Sequence, residues 1–358
     1  MNGNTNSPAC RGGARKQSDK RSGSIKSVMP TTPANTGARL LGLTAIAVAA
    51  LALAIAAGSV KLSPAEIFSG LTDPGSGLPR TLIMELRLPR AMSAFAVGGL
   101  LAVAGCLMQV LLRNPLADPY ILGVSGGAAV CALMAMMLGL GGAWIEGGAF
   151  AGALGATLLV FALASGGDGA WTPIRLLLTG VVLAAGFAAV ISLMLALGPD
   201  SSLRGMLFWL MGDLGFADSP GPRLILLGFA AAAGVLFARH LNVLSRGDVQ
   251  AQVLGVEVRP LRTGIYVASS VLTAVAVTSA GSIGFVGLVV PHLMRSVVGS
   301  DHRALIPAAA LAGGTLLLLA DTVARSLFAP RQLPVGALTA IIGVPLFLML
   351  IRRQRPGR

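Results

Sequence analysis

Apolar residues in this chain come in long unbroken stretches, separated by short segments where Arg, Asp, Pro and Gly collect. A hydrocarbon core about 30 Å thick takes about 20 apolar residues of helix to cross. Ten stretches qualify: Leu40–Val60, Ala91–Leu112, Ile121–Leu140, Gly147–Ala164, Leu176–Leu197, Leu224–Ala238, Thr263–Ala280, Ile283–Val297, Ala304–Ala320 and Val335–Ile351. The sixth and eighth are short, and the eighth carries Pro291 and His292. Nothing alternates with period two over the length of a barrel strand, so strands have no support. The pattern predicts an all-α polytopic membrane protein of about ten spans.

Composition agrees. Of 358 residues, 54% are apolar and 11% charged, against about 25% charged in a soluble domain. Mean hydropathy is +0.79, which excludes a water-soluble globule and, for most of the chain, disorder. Aromatics are only 5% while glycines number 47, and small residues let membrane helices approach closely. Gly148 with Gly152 forms one such small pair.

The net charge of +13 is uneven. Residues 1–38 hold six Lys or Arg against the single acid Asp19 and are rich in Ser, Gly, Asn and Pro. They read as a disordered basic tail, with Met29 as an alternative start. Residues 39–353 form the ten-span domain and 354–358 a cytoplasmic tail. The first apolar stretch is too long for a signal-peptide core and reads as a retained span. With the N-terminus inside and ten spans, the Lys and Arg residues divide 19 inside to 8 outside. That bias predicts both termini in the cytoplasm. Arg87 and Arg90 run locally against it. Basic tails beside apolar spans suit contact with membrane lipid, and no nucleic-acid motif competes.

Several chemistries are missing. A P-loop needs Gly-Lys before Ser or Thr; the four lysines are Lys16, Lys20, Lys26 and Lys61, and none follows a glycine. Spans two to five and span seven hold no ionisable residue, where proton coupling would need one. Asp321 is the main exception, and it lies four residues before Arg325 as a local helical pair would. An ion-coupled secondary transporter is thus the weaker alternative, and a membrane enzyme or scaffold a third. His240, His292 and His302 are scattered without ligand spacing. Cys10, Cys106 and Cys131 form no CxxC pair, and the last two sit in apolar runs as small hydrophobes. No metal and no cofactor is called for.

Three segments are more particular than membrane filler. The first is Arg87-Leu-Pro-Arg90, then Arg113-Asn-Pro-Leu-Ala-Asp-Pro119, leading into Ile121-Leu-Gly-Val-Ser-Gly-Gly127. Pro115 and Pro119 keep the residues before them out of the α region. The second is Asn242 to Gly255, in the longest interior loop, where Asp248 can cap a short surface helix ending near Gly255. The third runs Gly281-Ser-Ile-Gly-Phe-Val-Gly-Leu-Val-Val-Pro-His-Leu-Met-Arg295, then Asp301-His-Arg303, Leu319-Ala-Asp-Thr-Val-Ala-Arg325 and Leu333-Pro-Val-Gly336.

In this order and spacing, over about residues 40–353, they resemble the FecCD family of ABC importer permeases. The family imports ferric siderophores, haem and cobalamin. The resemblance implies a permease of the bacterial inner membrane and a second permease copy, as a homodimer. It also implies two separate ATP-binding cassette subunits and a periplasmic substrate-binding protein. It assigns Arg87, Arg90 and Arg325 to docking of the binding protein. Asp248, Ala251, Gln252, Leu254 and Gly255 are assigned to contact with the ATPase. Asn114, Leu116 and Thr172 fall to the inner gate. The chain departs from the family in Arg246-Gly-Asp248, where Leu-Gly-Glu is usual, in Thr172-Pro173-Ile174, and in its basic N-terminal extension. Arg87-x-x-Arg90 before span two and Arg259-x-x-Arg262 before span seven enter from opposite sides, as inverted repeats would.

Overall fold

A computed structural model describes residues 33–58, 60, 62–165, 171–216, 219–327, 329 and 331–353. The expected tails at 1–32 and 354–358, with Cys10, lie outside the described residues. α1 spans Pro33–Ala56 and so begins seven residues ahead of the apolar stretch at Leu40. α2, Pro64–Thr72, is a short outer helix with a reciprocal cap: the Glu66 amide donates to Ser63 Oγ at 3.3 Å, and the Ser63 amide to Glu66 Oε2 at 2.7 Å.

α3 runs from Leu78 to Leu111 and is the axis of the molecule, with 94% of its most apolar stretch buried. Its residues 81–87 form a π turn directly ahead of Pro89. Proline lacks the amide that would continue the ladder and its ring crowds the preceding turn, so the helix widens there instead of breaking. A helix apolar on every side is stable only when enclosed. α3 is enclosed by α1, α8 (Pro220–Leu236), α11 (Val258–Ala280), α12 (Val286–Val298) and α13 (His302–Ser326).

α4 (Val124–Met137) and α5 (Gly142–Ala164) form a second tight pair. Gly127 and Gly152 face each other so closely that a Cβ on either would fall 2.4 or 2.2 Å from the other's carbonyl oxygen. The pair is tied to α11 by the Tyr266 hydroxyl, which donates to the Thr157 carbonyl at 2.7 Å. α6 (Pro173–Leu197) follows, then α7 (Asp200–Met211), a short helix that the hydrophobic pattern does not announce. α8 bends by 64° into α9 (Ala238–Leu244), and α10 (Asp248–Val253) and α14 (Val335–Arg353) complete the chain.

Among the described residues, six helices are long and apolar enough to cross a membrane, the bent α8–α9 pair makes a seventh, and α4, α12 and residues 335–349 of α14 are shorter apolar helices. The total agrees with ten spans. The short ones explain the weakness of the eighth stretch. α12 has 13 residues and α4 has 14, about 20 Å each at 1.5 Å per residue, too little for the hydrocarbon core. The tight turn Pro119–Leu122 and the non-helical residues 281–285 lead into them. Irregular backbone is tolerated at such depth only when protein covers it. Here the two helix entries pack on each other: the Ile283 amide donates to the Tyr120 hydroxyl at 3.2 Å, and a Cβ on Gly287 would meet the Pro119 ring at 2.8 Å. Both short helices start on a left-handed residue, Gly123 at φ 71° and Phe285 at φ 69°. The two broken spans stand at matching places in the two halves, as an inverted repeat requires.

Polar contacts sort into two ends. Arg39 meets the Val297 carbonyl, and Asn242 meets Asp301 and His302, all in segments the charge bias puts inside. Arg87, Arg90, Asp213, Asp321 and Arg325 gather at the opposite end. Single cysteines at positions 250 and 75 should therefore label from opposite faces of sealed vesicles, 250 from the cytoplasm. Labelling of both from one face would overturn the topology.

Candidate functional site

At the outer end, α1 stops with its last carbonyls unpaired, as every helix does. Arg87, 5% exposed, turns inward onto them: its guanidinium donates to Ile55 O at 2.6 Å, Ala56 O at 3.1 Å and Val60 O. A cation suits the negative end of a helix. Arg325 donates to the Ala54 carbonyl of the same turn. Arg90 donates to Asp321 through Nε at 3.0 Å and Nη2 at 2.8 Å, to Gln332 Oε1 at 3.2 Å, and lies 3.8 Å from Asp213. Asp321 itself is 1% exposed.

The expected local pair is present but is the looser of two. Arg325 Nε stands 3.7 Å from Asp321, while the close partner is Arg90, 231 residues away in the chain. The arginines assigned to docking do meet in one cluster, but their guanidiniums point onto the chain's own carbonyls and Asp321. Asp213 and Gln332 were missed: each lies in a loop with no sequence pattern to single it out.

At the inner end, the expectation that Asp248 caps α10 is corrected. Gly247 is the N-cap, with no side chain to accept, and Asp248 is the first helical residue. Its carboxylate accepts instead from Arg262 Nη2, at 2.8 and 2.7 Å, and from Arg113 Nη2 at 3.3 Å. Of the residues assigned to the ATPase, Ala251 is 0% exposed, so it seats α10 on the permease and faces no partner. Gln252 and Gly255 are exposed, and Leu254 is 64% exposed. The outward apolar face adds two residues the sequence did not single out, Val249 at 73% and Val253 at 81% exposed. Their i, i+4 spacing was the available signal.

Asn114 and Leu116 share one turn: Asn114 Oδ1 accepts from the Leu116 amide at 2.9 Å, ahead of the buried Ala117. Leu116 is exposed. Thr172 instead caps α6, accepting from the Arg175 amide at 3.3 Å, and no hydrogen bond among the described residues joins it to the Asn114 turn. The Asp301-His-Arg303 motif closes α13 onto α9. Asn242 Nδ2 donates to Asp301 Oδ1 at 2.8 Å, and Asn242 Oδ1 accepts from the His302 amide at 3.0 Å. Burial pushes the Asp301 carboxyl up, but the hydrogen bonds from Asn242 and the Arg303 amide outweigh it and hold Asp301 below the usual carboxylate range. Among the described residues, no group of three or more His, Cys, Asp or Glu is placed to hold a metal ion.

The FecCD transport family matches residues 46–353. The Hemin transport system permease protein HmuU of Yersinia pestis is 41% identical over 332 residues, covering 89% of this chain and 97% of that protein. The Vitamin B12 import system permease protein BtuC of Yersinia enterocolitica is 39% identical over 320 residues, covering 88% and 93%. A solved metal-chelate type ABC transporter in an inward-facing conformation superposes with a TM-score of 0.78 at 33% identity, over 88% of this chain and 99% of that one.

Proposed function

Because the chain belongs to the FecCD transport family, we propose that its cargo is a metal chelate of the haem or cobalamin kind, delivered by a binding protein and admitted when ATP moves the inner end. The chain is a permease subunit of an ABC importer of the bacterial inner membrane, working with ATPase and binding-protein partners. ATP hydrolysis belongs to those partners. The ion-coupled alternative has no further support: Asp321, the carboxylate it needed, is held by Arg90. The ten-span permease domain is 39–353, with basic tails on the cytoplasmic side.

The observation that carries the reading is α10. It is a six-residue helix at the inner end, gripped from below by Asp248 and Ala251, with Val249, Val253 and Leu254 turned outward. A short helix with an apolar outer face suits a groove on a partner, and Gln252 and Gly255 belong to the same contact. Asn114 and Leu116 line the inner gate in this reading, with Thr172 contributed from the start of α6. The binding protein docks on the outer end, where Arg87, Arg90 and Arg325 shape and charge the face more than they reach across it.

The second copy packs along α6. This is the least enclosed long span, 11% buried against 94% for α3, and its outer face carries Ala185, Gly186 and Ala189. Small residues allow the close helix contact that such a pair requires.

One preparation tests these assignments. Tagged permease purified from its own membrane should give a native mass of two permeases with two ATPase subunits. Val249→Asp with Val253→Asp should strip the ATPase and leave the permease pair intact. A wild-type permease that never carries an ATPase would defeat the importer reading; a stripped variant that keeps its ATPase would defeat the assignment of α10.

A further inference from the structure

Asp248 is turned away from the face of α10 that a partner would meet. Its two cations come from different elements: Arg262 from the first turns of α11 and Arg113 from the second residue past α3. Arg113 adopts a left-handed backbone, φ 48°, and the next residues are Asn114 and Leu116. A single carboxylate thus fastens α10, α11 and the turn of the inner gate together. We infer that Asp248 and Arg113 are positioning residues that carry the movement of α10 to the gate turn.

The connection continues inward. One turn before Arg113, Gln109 accepts from Arg295 Nη1 at 2.6 Å and donates to the Leu288 carbonyl at 3.2 Å. Arg295 and Leu288 belong to α12, the short half of a broken span. The Gln109 carbonyl also accepts from the Asn114 amide at 3.2 Å, which locks the gate turn to the end of α3. A route therefore runs from Asp248 to Arg113, along the backbone to Asn114, and through the Asn114 amide on the Gln109 carbonyl to the Gln109–Arg295 pair, which joins α10 to α3 and α12. Charged hydrogen bonds have fixed geometry, so displacement of α10 is passed on through them.

The packing beside α10 leaves this route as the stiff one. Gly255, Val256 and Glu257, which connect α10 to α11, form a wall of a half-open cavity of about 840 Å³ whose other walls are Leu107 of α3 and residues of α8, α9 and α11. A close-packed neighbour would transmit strain in every direction. The connector is less closely packed on that side than the core of the bundle is.

The inference rests on the importer reading, and the test separates the two. Asn114→Cys is introduced into an otherwise cysteine-free permease, purified with its ATPase in nanodiscs. Disulfide crosslinking between the two copies is followed with and without ATP and vanadate, alongside the ATPase rate. Arg113→Gln is the key variant, because it frees the gate turn while leaving the Asp248–Arg262 pair intact. Arg113 is exposed at the surface, so the fold tolerates it. The nucleotide-dependent change in crosslinking should fall about fivefold, the size set by one partly exposed ion pair, while ATPase stays bound and hydrolysis continues. Asp248→Asn should do the same, and Asp248→Glu should restore part of the response. Full response in Arg113→Gln overturns the inference, as does loss of bound ATPase in Asp248→Asn, which would make the carboxylate a partner contact. A wild-type pair that crosslinks without regard to nucleotide instead overturns the gate and the importer reading itself.

Discussion

Gly105→Ala should prevent α3 from packing against α12, and the folded permease should be lost or melt far below the wild type. A Cβ on Gly105 would sit 1.9 Å from the Gly287 carbonyl oxygen and 2.8 Å from its Cα. The obstacle is backbone, not the end of a flexible side chain, so one helix must move bodily. Gly98 and Gly313 make a similar contact between α3 and α13 two turns outward, where a Cβ on Gly98 would stand 2.2 Å from the Gly313 carbonyl. With α3 held on both sides, relief at one contact costs the other. Overpacking of a tight core costs about 1–3 kcal/mol, and this site belongs at the upper end. Gly155→Ala is the control, because nothing lies within 4 Å of a Cβ there; replacing an open helical glycine by alanine is neutral or favourable. Thermal unfolding in detergent reads both. If Gly105→Ala melted together with Gly155→Ala, the close crossing of α3 and α12 would be wrong.

That crossing shows what the sequence could and could not reveal. The ten stretches were legible because water excludes about 20 apolar residues whatever their neighbours. The broken spans were not: hydropathy at 281–297 is the same whether the backbone is helical or extended, and only Pro291 and His292 hinted at trouble. Gly287 and Pro119 become partners through tertiary packing, so neither could be placed beforehand. α7 escaped notice because its 12 residues follow directly on a longer apolar run.

The sites divide in the same way. Composition and motif order located both charged ends, and the residues there are the ones the motifs contain. Which charge answers which was not legible. Sequence spacing favoured Asp321 with Arg325, since i, i+4 neighbours always lie close. Arg90 reaches the same carboxylate from another helix and wins on geometry, with two of its nitrogens on the acid. At α10, spacing could not say which face of six residues is turned inward, and Ala251, assigned to the partner, is the residue that is buried.

The Arg90–Asp321 pair sets the second large effect. Asp321 is almost fully enclosed, so removing Arg90 leaves a carboxylate with Arg325 at 3.7 Å as its nearest remaining cation. Breaking a buried pair from one side costs about 3–5 kcal/mol, whereas removing both partners costs less than the sum, with Arg325 then the one guanidinium left without that carboxylate. Arg90→Ala and Asp321→Ala should each lower the melting temperature strongly, and the double variant should recover much of the loss. Arg90→Lys should not rescue, since an ammonium cannot present two nitrogens to one carboxylate while also reaching Gln332. The same measurement discriminates between two roles for the cluster. If Arg90 served docking alone, Arg90→Ala would slow association of the binding protein and flatten its salt dependence, yet melt like the wild type. The buried geometry predicts the reverse order of effects: stability falls first, and docking weakens only as far as the outer face loses its shape.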